Sequence, residues 1–199
     1  MNFTEIVTKR YAVKKFDGRI VPQEQIDHLL ELIRLAPSSF NIQPWHIYVV
    51  SDQAIKQEIQ AVAWNQHQVG TSSHVLVFCA DSDILKNINA LELLMIEKGA
   101  SKESIADYIQ MMRNFEKGMT PEAKLAWAQR QLYLALGNAV NGAKSLGFDS
   151  CPMEGFDPKA LALILKTPHH IVPTALCPIG YAADVPREKT RFPKKDIFS

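Results

Sequence analysis

Apolar residues recur along this chain with two distinct periods, and the alternation between them lays out a mixed fold. From 22 to 36, Pro22 opens a run in which Ile26, Leu29, Leu30 and Ile33 fall at helical spacing before Pro37 ends it. Residues 2–10 allow a shorter helix, and 53–62 another. Residues 84–117 are helical in character but weakly patterned, with a break near Gly99-Ala100-Ser101. Thr120-Pro121-Glu122 supplies an N-cap, a first-turn proline and a first-turn acid. It opens a long helix that runs to about Leu146 and stops at Gly147, and a short helix is predicted at 157–165. Strands are predicted at 46–51 and around 173–181. Residues 73–80 are apolar at nearly consecutive positions, as in a strand buried on both faces.

Helices outnumber strands and few are joined as βαβ units, so the predicted class is α+β with a small, mostly antiparallel central sheet flanked by helices. Between Leu132 and Val140 the long helix is apolar nearly all round, which predicts burial in a core or a subunit interface. Gly137, Ala139, Gly142 and Ala143 would let a neighbouring backbone come close there. Gly142 costs roughly 1 kcal/mol against alanine within a helix, which tight packing would offset. Residues 37–44 and 151–156 are loops. The polar, proline-punctuated tail 186–199 cannot bury itself and must lie across something.

A 199-residue chain that is 47% hydrophobic can bury one core, so 1–199 is expected to be a single domain. The net charge of +1 excludes a general polyanion binder, and no nucleic-acid partner is expected. Its distribution is uneven. Segments 9–19 and 187–195 hold ten of the 22 cations and two of the 21 acids, which leaves the body about seven charges negative. Such blocks are either solvated surface or two ends converging on a bound anion. The three cysteines have scattered spacing, and the first residues lack a long apolar stretch. Reduced thiols, a cytoplasmic location and no membrane partner are therefore expected.

Neither G-x-G-x-x-G nor a P-loop is present, and G-x-S-x-G is absent too. Six scattered histidines, with only His169-His170 adjacent, predict no metal site. Four polar clusters stand on predicted loops or element ends: 10–14, 38–43, 152–155 and 189–191. Taken singly, each reads as a helix end, a loop, a turn or a basic tail.

Together they resemble one family. Arg10-x-x-x-Lys14-x-Phe16-Asp17, Ala36-Pro37-Ser38-Ser39-x-Asn41-x-Gln43-Pro44-Trp45, and Ser73-His74-Val75 with Phe78-Cys79-Ala80 are similar to the oxygen-insensitive NAD(P)H nitroreductases. So are Pro152-x-Glu154-Gly155-Phe156-Asp157 and Lys189-x-Arg191-x-Pro193. The matches keep the family's order, and only 82–120 lacks them.

The resemblance implies an FMN-binding homodimer with two active sites across the subunit interface and the tail 186–199 wrapped on the partner. It implies that Arg10, Lys189 and Arg191 hold the FMN phosphate, where arginine offers a fork and lysine a point charge. Tyr11 and Ala12 would lie beside them, and Lys14 near the isoalloxazine and the substrate. Pro37, Ser38, Ser39 and Asn41 would reach the flavin from the other subunit, with Phe40 as a wall of the substrate slot. Trp64, Tyr108 and Phe115 are further candidate walls. Asn65 would bond the pyrimidine edge. Pro152 and Glu154 would flank the Gly155 N–H, which would donate to flavin N5. No side chain need act as a nucleophile or general acid, because flavin N5 is the reactive atom. NAD(P)H would pass hydride through N5 to a nitroaromatic, quinone or similar flat acceptor in a ping-pong cycle.

One position departs from the family pattern. Gln68 stands where typical members place a second lysine near flavin N1. Loss of that cation should lower the flavin potential unless Lys14 compensates. The alternative function is therefore a flavin-binding redox sensor or flavin store with little turnover. A third reading is a colourless Ser/His hydrolase.

Overall fold

A computed structural model describes residues 1–199. Its centre is a four-stranded sheet, antiparallel throughout, in the order β1-β2-β4-β3. The strands are β1 (Trp45–Val50), β2 (His74–Asp81), β3 (Asp149–Ser150) and β4 (Ile171–Gly180). Around them lie α1 (Phe3–Lys9), α2 (Gln23–Arg34), α3 (Gln53–Val62), α4 (His67–Thr71), α5 (Ile84–Glu97), α6 (Lys102–Lys117), α7 (Pro121–Ser145) and α8 (Pro158–Leu165). None of these helices is long and apolar enough to cross a membrane.

Every residue of β2 is buried, and its alternate positions face two separate cores. Leu76, Phe78 and Ala80 join the larger core with α2, α5, α6 and α7, whereas Val75, Val77 and Cys79 join the smaller one with α3 and α8. Period-two alternation with an apolar layer on each side is what a continuous apolar run denotes. The predicted α+β class and the central sheet hold. The break near Gly99 separates α5 from α6.

Helix α7 is the longest element. Thr120 caps it through its hydroxyl, which accepts from Ala123 N–H, and Pro121 occupies the first turn. Tight packing at Gly142 holds: a Cβ there would lie 2.9 Å from Leu29 Cδ1 and 3.2 Å from Leu32 Cδ1. Gly137 differs, because nothing lies within 4 Å of its would-be Cβ. Burial of α7 within the protomer is also incomplete, since Tyr133 and Leu134 stay 39% and 46% exposed. One side of the apolar helix is therefore left open.

Two elements escaped the sequence pattern. Helix α4 has only five residues, and β3 only two. Helix α4 is braced from α3: Lys56, itself buried, donates from Nζ to the carbonyls of Ser72 (2.6 Å) and Ser73 (3.2 Å). Gln53 Nε2 donates to Gly70 O at 3.1 Å. Beside this brace Ser73 Oγ accepts from Val21 N–H at 2.8 Å, which frees its proton for His74 Nδ1, also at 2.8 Å. A neutral His74 suits that geometry.

Burial, and then the nearby Lys56 charge, holds the His74 pKa below its usual value. The sign is fixed by linkage. The unfolded chain takes up this proton at higher pH than the folded chain, so stability is lost as pH falls through about 6.5. Urea unfolding at pH 8 and pH 5.5 is expected to show a smaller loss on acidification in His74→Gln than in the wild type. An identical loss in both would clear His74 of the effect.

Candidate functional site

The two basic segments of the sequence lie side by side. After α1, residues 11–17 run extended, and main-chain bonds pin them to the chain following β4. Ala12 pairs with Ser150 and Phe16 with Ala182. Asp17 N–H donates to Tyr181 O at 2.9 Å and Ala183 N–H to Lys15 O at 2.8 Å. Asp184 then collects two donors: Tyr11 Oη, at 3.1 Å from Oδ1, and Lys14 N–H, at 2.9 Å from Oδ2. Burial first, and then Asp184, pushes the Tyr11 hydroxyl up to about 12, so it remains a donor.

Further along the tail, Lys189 Nζ donates to the carbonyl of Arg10. The Arg10 guanidinium is oriented by α7, through Nε to Asn141 Oδ1 at 3.0 Å. Burial depresses the Lys189 pKa, and the charges of Arg10 and Arg191 depress it further. None of Arg10, Lys14, Arg187, Lys189 and Arg191 is in an ion pair. Two neighbouring cavities open onto the first four of these residues, while Arg191 is exposed and lines neither. One, of about 440 Å³, is lined by Arg10, Arg187, Glu188 and Lys189, among others. The other, of about 390 Å³, is lined by Tyr11, Ala12, Lys14, Asp184, Val185 and Arg187. The two linings set Lys9, Arg10, Lys14, Arg187 and Lys189 against Asp184 and Glu188, so the cleft carries a net positive charge. Its chemistry suits a phosphate.

The second predicted cluster is hung on the sheet. Cys151 N–H donates to Pro178 O at 3.0 Å and Met153 N–H to Leu176 O at 2.8 Å, which carries Pro152, Glu154 and Gly155 beyond the edge of β4. Gly155 has no room for a side chain, because a Cβ would meet Trp64 Cζ3 at 2.8 Å and Gln66 Nε2 at 3.0 Å. Its carbonyl accepts from Gln66 Nε2 at 2.8 Å, while its N–H has no acceptor within the chain. Trp64 and Asn65 both adopt left-handed backbone (φ 56° and 57°), and the Asn65 side chain makes no hydrogen bond. Gln68 is buried, with Nε2 donating to Gln66 Oε1 at 3.0 Å. Lys14 Nζ reaches to 3.8 Å from Cys151 Sγ, a thiol whose pKa burial raises while Lys14 and Gln68 lower it. Lys14, Gln68 and Cys151 thereby join the N-terminal segment, α4 and the 151–155 turn at one place.

The third cluster stands apart within the protomer. Ser39 N–H donates to the buried Gln131 Oε1 at 2.8 Å, and Gln43 N–H to Ser38 Oγ at 2.9 Å. Phe40, Asn41 and Gln43 all have positive φ, an unusual concentration for residues other than glycine. Pro37 and Asn41 are exposed. The Phe40 ring meets Phe115 and Tyr108 edge-on, at centroid distances of 5.3 and 6.4 Å. Three of the four candidate wall aromatics thus form one cluster, and Trp64 lies elsewhere, over Gly155. This loop and the Arg10 cluster are both tied to α7, but at Gln131 and Asn141, about 15 Å apart along the helix at 1.5 Å per residue.

Sequence reasoning missed several participants. Asp184 falls between the predicted strand and the tail 186–199, where no motif marks it, and Arg187 counts in the sequence only as one cation of the basic segment 187–195. Gln131 and Asn141 flank the apolar run 132–140 of the long helix and Tyr133 lies inside it, and no motif marks any of the three. Nothing in the pattern marks Gln66.

The chain is similar to known proteins along its whole length. A family model described as the nitroreductase family matches residues 7–181. A Staphylococcus saprophyticus protein provisionally named an NAD(P)H nitroreductase is 30% identical, over 94% of this chain and 91% of that one. A Thermus thermophilus protein named an NADH dehydrogenase is 33% identical, over 95% and 91%. A crystal structure of an Exiguobacterium sibiricum protein in complex with FMN superposes with a TM-score of 0.91 at 26% identity, covering 100% of this chain and 97% of that one. With its antiparallel sheet, its long central helix and a family match over nearly all its residues, this chain belongs to the nitroreductase family.

Proposed function

We propose that this chain binds FMN in the cleft between its N-terminal segment and its C-terminal tail. It would use the flavin to pass hydride from NAD(P)H to a flat acceptor such as a nitroaromatic or a quinone. The observation that carries this is the net positive cleft of Arg10, Arg187 and Lys189, with Arg191 near enough to depress the Lys189 pKa, which continues into the cavity lined by Lys14. The names of the S. saprophyticus and T. thermophilus relatives and the FMN in the E. sibiricum structure support it.

The residues present fit the cofactor. Arg10, Lys189 and Arg191 are the phosphate holders, with Tyr11 and Ala12 beside them. Lys14, Asn65 and Gln68 serve the pyrimidine end, and Pro152, Glu154 and Gly155 the edge that carries N5. At Gly155 the missing Cβ permits close approach by a planar group. When bound, FMN supplies the centre that accepts and donates hydride. The protein binds, orients and tunes that centre, and none of its side chains acts as a nucleophile.

Pro37, Ser38, Ser39 and Asn41, with Phe40 as a substrate wall, complete the site from a second copy. Two features support a homodimer: the open side of α7 at Tyr133, Leu134 and Gly137, and the exposed apolar residues Phe192, Ile197 and Phe198 in the tail 186–199. The tail then wraps the partner. Such a protein works in the cytoplasm, where reduced nicotinamides are available and free thiols stay reduced.

A second reading, a flavin-binding sensor or store with little turnover, is favoured by one observation: buried Gln68 is neutral and leaves Lys14 as the one cation at that end.

Arg10→Ala and Arg191→Ala are each expected to weaken FMN binding by about 1–3 kcal/mol, roughly 5- to 150-fold, on loss of a charge-assisted contact. Flavin fluorescence titration measures this, and unchanged affinity in both variants would refute the phosphate assignment. Saturable oxidation of NADH or NADPH is expected with menadione or nitrofurazone as acceptor, and its absence would favour the sensor. Light scattering should find a dimer; a folded monomer that holds FMN would sink the shared-site proposal.

A further inference from the structure

Beside the Gly155 turn stands a side-chain contact that the scheme above does not use. Tyr133 projects from α7 and donates its hydroxyl to Glu154 Oε1. With Leu136, Pro152, Met153 and Ala175 the two line a cavity of about 370 Å³. The Glu154 carboxylate accepts no other hydrogen bond and is in no ion pair. Burial, and then Glu154 itself, raises the Tyr133 pKa, so the hydroxyl stays protonated and keeps donating. Glu154 is exposed, and without this bond its charge would be averaged over many side-chain positions. Tied to a long helix, the carboxylate instead keeps one position, a single residue from the unpaired N–H of Gly155.

The balance of charge around the turn then becomes informative. Lys14 Nζ approaches from the Cys151 side, and Gln68 adds no charge. The turn from Cys151 to Gly155 therefore has one cation near its start and one fixed anion near its end. Reduced flavin carries a negative charge that oxidised flavin lacks, so a fixed anion nearby disfavours the reduced state.

Resting on the FMN reading, we propose that Tyr133 is a positioning residue that holds the Glu154 carboxylate against the Gly155 turn, where its fixed charge lowers the potential of the bound flavin. Tyrosine fits this role because its hydroxyl adds a hydrogen bond without adding a charge, and its ring completes the apolar cavity wall.

The test is the midpoint potential of FMN-loaded wild type, Tyr133→Phe, Glu154→Gln and the double variant, with melting temperatures of the flavin-free proteins as a fold control. Tyr133→Phe is expected to raise the affinity ratio of reduced over oxidised flavin roughly tenfold, which is about 30 mV for a two-electron couple. Glu154→Gln should raise it at least as far, and Tyr133→Phe should add nothing in the Glu154→Gln background. A wild-type potential in Tyr133→Phe, or the same shift with and without Glu154, overturns the proposal. Should Tyr133→Phe not fold, Glu154→Gln decides alone, and an unchanged potential overturns it. Wild-type protein that takes up no FMN in equilibrium dialysis overturns the FMN reading and this proposal with it. Bound FMN with an unmoved potential overturns only the role of Tyr133.

Discussion

The packing of α7 against α2 and the sheet fixes everything else in this molecule. Ala128, Leu132, Ala135, Ala139 and Ala143 are fully buried along its inner stripe, and Gly142 lets Leu29 and Leu32 of α2 lie against bare backbone. Mostly small residues at helical spacing bring the axes close and leave few alternative registers. The polar residues on the flanks of the stripe are thereby committed. Gln131 holds Ser39, Tyr133 holds Glu154, Asn138 donates to Leu32 O at 2.8 Å, Asn141 holds Arg10, and Lys144 pairs with Asp149 at 2.7 Å. A slip of one turn would carry all five attachments about 5.4 Å out of place. One apolar contact surface thus sets the coordinates of two loops, α2, β3 and the N-terminal segment.

Charge is distributed on the opposite principle. Helix surfaces hold their ions in local pairs such as Arg34–Glu31 and Arg113–Glu92, whereas the cleft gathers cations and leaves them unpaired. Like charges held together oppose folding, and after burial the charges of Arg10 and Arg191 add to the depression of the Lys189 pKa. Main-chain pairing of residues 11–17 with 181–184 withstands that repulsion, because it does not depend on the side chains it aligns. A bound phosphate would relieve the repulsion, so a ligand that neutralises the cleft also stabilises the fold.

Much of this was legible in the sequence because it follows from period and punctuation. Helices α2 and α7 carried proline starts and dense apolar spacing, and β2 carried a continuous apolar run. Helix α4 and strand β3 were not legible, since five and two residues span too little for a period to show, and long-range contacts such as that of Lys56 hold α4 in place. The left-handed backbone of Phe40, Asn41, Gln43, Trp64 and Asn65 was hidden for another reason: none is glycine, so composition carries no mark of it. The convergence of the two ends was visible only as charge asymmetry. Its geometry depends on Asp184, one acid whose two hydrogen bonds align the strands that bring Arg10 and Lys189 together.

On the proposed reading, the two ends of the cleft govern different quantities. The phosphate carries the same charge whether the flavin is oxidised or reduced. Arg10, Lys189 and Arg191 therefore bind both states alike, and they contribute to affinity without moving the redox equilibrium. Only groups that interact differently with the two states can shift it, and those cluster at the turn: Lys14, neutral Gln68, the Gly155 N–H and Glu154. The substitution of glutamine for the family's second lysine is tolerable on these terms. Retention is carried by the distant cations, so position 68 can lose its charge and change the reducing strength of the site while the cofactor stays bound.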